Sequence, residues 1–152
     1  MLHTLQTSQF INADIQTVWG FMSSPSNLAT ITPQYMGFEI LNNLHGDTMY
    51  PGQIIEYNVK PLLGIKLHWV TEITHVKENE FFVDEQRFGP YSFWHHKHFL
   101  KQTGNGVEMN DLVHYKIPFG IVGKLANSLF VKRQLKEVFD YRYKKVDELF
   151  NK

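Results

Sequence analysis

The sequence predicts an α+β fold: a curved antiparallel sheet of about seven strands wrapped around a long C-terminal helix, with two short helices after the first strand. Three observations predict it. Residues 52–118 alternate apolar and polar side chains in runs separated by short turns, the pattern of consecutive antiparallel strands. From about Ile121 the period becomes helical, with Leu125, Leu129, Leu135, Val138, Val146 and Leu149 at steps of three, four and their sums. Aromatic residues make up 14% of the chain, enough to line a concave sheet that one helix cannot fill by itself.

Residues 2–10 read as the first strand. Asn12 to Asp14 supplies capping side chains, and Ile15, Val18, Trp19 and Met22 give a first helix ending near Ser23. A second short helix covers about 26–31 and stops before Pro33. A strand near Phe38–Leu44 and the loop 45–52 follow. Strand 52–60 turns Ile55, Tyr57 and Val59 to one side, Pro61 to Gly64 reverses the chain, and strand 65–76 turns Leu67, Trp69, Thr71 and Ile73 inward.

Residues 81–118 hold most of the polar chemistry. Trp94, His96, His98 and Leu100 share one side of their strand, and Phe93, His95, Lys97 and Phe99 the other. The next strand has its apolar side at Met109, Asp111, Val113, Tyr115 and Ile117. Gly104-Asn105 fits a two-residue hairpin loop, which pairs His98 with Asp111, His96 with Val113 and Trp94 with Tyr115. A three-residue loop Gly89-Pro90-Tyr91 pairs Asp84 with His96 and Gln86 with Trp94. It also leaves Glu85 and Arg87 outside, which favours it over a two-residue loop. The expectation is an inward polar cluster of Asp84, Gln86, His96, His98 and Asp111, framed by Phe82, Trp94 and Tyr115. Buried polar groups require partners or water, so the cluster is a closed network or a wet cavity.

At 152 residues one domain spanning 1–152 is expected. Lys+Arg and Asp+Glu balance at 15 each, which argues against general attraction to nucleic acid. The 121–152 segment is basic but interrupted by Glu137, Asp140, Asp147 and Glu148, the pattern of a solvated face. The absence of cysteine excludes disulfides and thiol catalysis. The N-terminus lacks a basic segment followed by an apolar run, and no apolar stretch reaches spanning length; the expectation is a cytoplasmic protein without stable membrane insertion. A homodimer is left open.

The element order resembles the helix-grip fold of the START-like, or SRPBCC, superfamily over essentially the whole chain. Pro33, Trp69, Asp84-Glu85-Gln86, Gly89-Pro90, Trp94-x-His96-x-His98, Asp111, Tyr115, Pro118, Gly120, Arg133, Phe139 and Tyr141-Arg142 resemble one bacterial branch. That branch occurs alone or fused ahead of a nucleotide-sugar-epimerase-like domain, where it is labelled cell-division-inhibitor-like. The resemblance implies a cavity between helix and sheet that accepts a hydrophobic or aromatic small molecule. It does not choose the molecule, because the superfamily spans carriers, receptors, cyclases and chaperone activators.

The expected function is therefore non-catalytic binding of such a molecule by Tyr57, Trp69, Phe82, Asp84, Gln86, Trp94, His96, His98, Asp111 and Tyr115. Each aromatic taken singly is better explained as core; as a set on one concave face they favour a cavity. The alternatives are a cyclase- or dehydratase-like enzyme using His96, His98 and Asp111 for proton transfer, and a regulatory interaction module with a filled core. No activated nucleophile or oxyanion donor is recognisable. His96, His98 and Asp111 are read as a hydrogen-bonded network, His98 on Asp111 and His96 on Asp84. No metal or other cofactor is expected, since dedicated metal sites bring three or four convergent ligands and an ordered outer shell. His68, His75, His95 and His114 fall on the outer face. Arg133 or Arg142 is a candidate partner for an internal carboxylate, and residues 118–123 read as a gate or the turn that starts the helix.

Overall fold

The computed structural model describes residues 1–44, 48–62, 64–118 and 130–152. Its strands are β1 (His3–Ile11), β2 (Glu39–Ile40), β3 (Gln53–Leu62), β4 (Ile65–Lys77), β5 (Phe81–Phe88), β6 (Phe93–Thr103) and β7 (Gly106–Lys116). They form one seven-stranded sheet in the order β1-β7-β6-β5-β4-β3-β2. All neighbours are antiparallel. Helix α1 (Ile15–Met22) follows β1, and α2 (Lys132–Phe150) ends the chain. The expected start of the last helix at Ile121, its Leu125 and Leu129, and the gate residues from Phe119 onward lie outside the described residues, as does His45–Asp47 of the loop after β2.

Asp14 caps α1, its Oδ1 accepting from Thr17 N at 2.9 Å. The second short helix is a tight 3₁₀ helix, Pro25–Ala29, and a further 3₁₀ turn, Gln34–Met36, follows Pro33. Proline at 25 fits a first turn, and proline at 33 forbids a continuous helix through both. The strand expected at 38–44 shrinks to Glu39–Ile40 because an amide side chain takes over the ladder. Asn42 Nδ2 donates to Ile54 O at 2.8 Å, and its Oδ1 accepts from Glu56 N at 2.8 Å.

The β6–β7 register is the expected one: Trp94 faces Tyr115, His96 faces Val113, His98 faces Asp111 and Leu100 faces Met109. Across β5–β6, Asp84 faces His96 and Phe82 faces His98. Strand β4 departs from simple alternation. Its pairing with β5 slips between Val70 and Thr71 and again between Ile73 and His75, so Val76 packs against the core that Ile73 already occupies.

Apolar residues from both ends of the chain close the concave face. Ile11, Val18, Trp19, Ile55, Phe82, Val107 and Val146 belong to one buried cluster. Helix α2 presents Leu135, Phe139, Arg142 and Val146 inward, at steps of four, three and four. Leu149, expected on that stripe, is 47% exposed, and Phe150 packs edge-on against Phe21 at 5.4 Å instead. The helix is tied to β1 by Gln9 Nε2 donating to Tyr143 O at 2.8 Å and by Asn151 Nδ2 donating to Phe10 O at 3.0 Å. Those ties hold Arg142 over β7 and β6. Among the described residues no helix is long and apolar enough to cross a membrane.

Candidate functional site

A cavity of about 170 Å³ lies between α2 and the concave face of the sheet. Its walls include Tyr57 from β3, Trp69, Thr71 and Ile73 from β4, Phe82 and Asp84 from β5, and Trp94, His96 and His98 from β6. Helix α2 contributes Leu135, Val138, Phe139 and Arg142, and the tight helical turns contribute Leu28 and Met36. Of the residues expected at the site, Gln86, Asp111 and Tyr115 lie outside this lining.

Each of the three has another position. Gln86 closes the β5–β6 turn: its Nε2 donates to Tyr91 O at 2.6 Å and its Oε1 accepts from Tyr91 N at 3.1 Å. Gly89 is part of the same device, because a Cβ there would lie 2.6 Å from Gln86 Oε1. Tyr115 packs with Val113, Leu135 and Phe139 in a separate buried cluster. Asp111 sits behind the histidines with only 3% of its side chain exposed, against 16% for Asp84. The two carboxylates therefore play different parts, Asp84 at the cavity and Asp111 beneath it.

The cluster is cross-braced. His96 Nε2 lies 2.9 Å from Asp111 Oδ1, and His98 Nε2 lies 2.8 Å from Asp84 Oδ2. The expected pairing, His98 with Asp111 and His96 with Asp84, describes the remaining two contacts. His98 Nδ1 is 2.9 Å from Asp111 Oδ1, and His96 Nδ1 is 3.4 Å from Asp84 Oδ2. Each imidazole thus reaches both carboxylates, because i and i+2 side chains on one strand face stand side by side; the ring centroids are 3.7 Å apart. Trp94 Nε1 donates to Asp84 Oδ1 at 3.2 Å, and Phe82 stacks on His98 with centroids 4.0 Å apart. Arg142 is the interior arginine of the two candidates. Its Nη2 is 3.2 Å from His98 Nδ1 and 3.7 Å from Asp111 Oδ1, whereas Arg133 stays on the surface with Glu137.

Electrostatics follow from this packing. Burial pushes the Asp111 carboxyl up, but the Arg142 guanidinium and hydrogen bonds from both histidines outweigh it and hold the group well below the usual carboxylate range. Burial is again opposed at Asp84, where the charge of His96 and the hydrogen bond from His98 lower the carboxyl. His96 is lowered by burial and by the neighbouring charge of His98, against the pull of Asp84 and Asp111. With neutral imidazoles, two carboxylates face one guanidinium. Burial raises Tyr57 and Tyr91, so both remain neutral phenols.

Three features escaped sequence reasoning. Tyr91 belongs to a turn, yet its ring leaves the turn to line the cavity 4.9 Å from Trp94. Leu28 and Met36 come from irregular turns with no period to read. Trp69, 8% exposed, has an indole Nε1–H with no partner among the described residues.

No protein-family model and no curated protein matches the sequence. Solved structures do. Protein CV1439 from Chromobacterium violaceum superposes with a TM-score of 0.72 at 14% identity, over 99% of this chain and 99% of that one. TTHA0849 from Thermus thermophilus gives 0.70 at 16% identity over 96% and 95%. Ara h 8.0201 gives 0.61 at 14% identity over 96% and 98%. At such identities the likeness is one of fold, and the fold is the helix-grip, START-like one.

Proposed function

We propose that the protein binds a small hydrophobic or aromatic molecule in the cavity between α2 and the sheet, without transforming it. The carrying observation is the cavity itself: about 170 Å³ walled mainly by aromatic and aliphatic side chains, with the linked Asp84, His96, His98 and Arg142 in its lining. An apolar cavity of about 150 Å³ suffices for benzene, so this one suits one or two fused rings, not a long acyl chain. Burying about 150–250 Å² of aromatic surface is worth roughly 4–6 kcal/mol before the costs of association. Affinity for a bare ring system is then about millimolar, and no tighter than about tens of micromolar, with Asp84, His98 and the unpartnered Trp69 N–H in the wall to meet a guest's polar end.

A cyclase- or dehydratase-like enzyme is the second reading, favoured by the His98–Asp84 pair at the cavity wall. A cavity of this size among the described residues weighs against the filled-core interaction module. The test is a titration of the purified protein with indole and naphthalene, followed by the side-chain NMR signals of Trp69 and Trp94, beside native mass spectrometry for a retained guest. Saturable shifts that vanish in Val138→Trp, a variant that fills the cavity, are expected. If neither probe moves those indoles and no guest is retained, the binding reading is wrong.

A further inference from the structure

We propose that Asp84 Oδ2, His96 Nδ1 and His98 Nε2 form a three-ligand site for a divalent transition metal, with Asp111 as the outer carboxylate that orients both histidines. This goes beyond small-molecule binding and does not depend on it. From the sequence, two histidines near carboxylates read as a hydrogen-bonded network in preference to a metal site; the arrangement behind them changes the argument.

The ligand atoms converge. Asp84 Oδ2 lies 2.8 Å from His98 Nε2 and 3.4 Å from His96 Nδ1, and the three residues offer ligand atoms all within 4.8 Å of one another. Ligands bound to zinc at about 2.0–2.1 Å with tetrahedral angles stand roughly 3.3–3.4 Å apart, so small adjustments bring the three onto one ion. All three residues line the cavity, which leaves the fourth position open on the side where a guest or water would sit.

The opposite nitrogens complete the argument. His96 Nε2 and His98 Nδ1 both lie 2.9 Å from one atom, Asp111 Oδ1. A metal-ligating histidine characteristically donates its other N–H to a carboxylate, which sets the tautomer and the ring orientation. Here a single buried carboxylate, 3.7 Å from Arg142 Nη2, is placed to do so for both rings.

The metal-free hydrogen-bond pattern is less complete. If His98 donates from Nε2 to Asp84 and accepts from Arg142 at Nδ1, two buried acceptor pairs face each other. One is His98 Nδ1 against Asp111 Oδ1 at 2.9 Å; the other is His96 Nδ1 against Asp84 Oδ2 at 3.4 Å. Moving the His98 proton to Nδ1 repairs the first contact, gives up the hydrogen bond from Arg142 Nη2, and leaves three lone pairs converging at Asp84, the arrangement a cation fills. Charge points the same way, since two carboxylates outnumber the one guanidinium. An added proton on the histidine pair meets the same need, so metal and protons compete. With a divalent ion bound, the inner end of the cavity carries net positive charge and accepts an anionic oxygen donor.

The test is titration of chelator-stripped protein with Co²⁺ and Zn²⁺ at about pH 7.5, where deprotonated ligands predominate. Co²⁺ reports through its visible absorption and Zn²⁺ through calorimetry. One ion per chain is expected, with paramagnetic shift of the Trp94 indole N–H, which sits on Asp84 in the wild-type protein. Asp84→Asn should weaken binding by about a hundredfold or more. Asp111→Asn, which touches no metal, should weaken it about 10–100-fold and alter the Co²⁺ spectrum. Substoichiometric binding, an unshifted Trp94 indole, or equal affinity in Asp84→Asn would overturn the site and assign any bound metal to the outer histidines. Cobalt binding without indole binding removes the small-molecule reading and keeps the metal site; the reverse result does the opposite.

Discussion

The central strands carry two polar networks on opposite faces, each built from one arginine, two carboxylates and histidine. Outside, Arg87 Nε bonds Glu72 at 2.6 Å and its Nη1 approaches Glu85 at 3.3 Å, with His95 3.7 Å from Glu85. Inside are Asp84, Asp111, Arg142, His96 and His98. Side chains of the outer set keep 24–47% of their surface. Those of the inner set keep 3–16%. His95 and His96 are adjacent in sequence and differ only in strand phase. Chemistry here is decided by face: solvent screens the outer charges, while the inner ones must satisfy one another.

The largest test removes one carboxylate from each face. Asp111→Ala leaves Arg142 and two imidazoles buried without their shared acceptor and should cost about 3–5 kcal/mol of unfolding free energy. Glu85→Ala removes a half-buried partner that stays in contact with solvent and should cost about 0–1 kcal/mol. Urea unfolding of both variants measures the contrast. Equal losses would mean that the inner cluster is wetter than its burial implies.

Acid separates the faces next. His96 is lowered in the folded protein, so the unfolded chain takes up its proton first, and stability should begin to fall as pH drops below about 6.5. Asp84 and Asp111 are lowered as well, so the unfolded chain again binds protons first and a second loss should set in below about pH 4. Above neutrality these three groups contribute no slope. In the presence of chelator, His96→Gln should erase the upper limb and shrink the lower one, because His96 helps hold Asp84 and Asp111 down. Melting temperature against pH for wild-type protein and the variant checks this.

The faces were legible where strand phase was. The Gly104-Asn105 loop anchored the β6–β7 register, and from it the inward positions of Trp94, His96, His98 and Asp111 followed. Phase could not say which nitrogen meets which carboxylate, because adjacent rings on one face reach across to diagonal partners. The two slips in β4 leave no composition signal, so the shared burial of Ile73 and Val76 was hidden. Leu28 and Met36 enter the cavity from turns without periodicity. Arg142 was one of two arginines of equal standing until Leu135, Phe139 and Val146 set the phase of α2.

Gln86 gives a smaller effect that sharpens the boundary of the site. It lies on β5 two residues beyond Asp84, yet its amide is spent on Tyr91 of the turn. Gln86→Ala should cost about 1–2 kcal/mol through the two lost hydrogen bonds. Indole affinity should stay within about twofold, since the side chain does not line the cavity. A loss of indole binding comparable to that in Val138→Trp would move Gln86 into the site.

The smallest effect concerns one proton donor. Trp69 stacks with Tyr57 at 5.9 Å and meets Trp94 edge-on at 5.4 Å, while its buried N–H lacks a partner among the described residues. An unmade hydrogen bond costs about 1–3 kcal/mol in such surroundings, and losing part of a large buried ring costs a similar amount. In Trp69→Phe the two oppose each other, so the stability of the guest-free protein should change by about 1 kcal/mol or less. Guest preference should respond more clearly. Quinoline and naphthalene have nearly the same shape, but only quinoline offers an acceptor to the indole N–H. Wild-type protein should favour quinoline by about fivefold, the equivalent of one net hydrogen bond, and Trp69→Phe should abolish the preference. A preference that survives the substitution would place the acceptor's partner at the Asp84–His98 end, which makes the inner network, and not the aromatic wall, the part of the cavity that chooses.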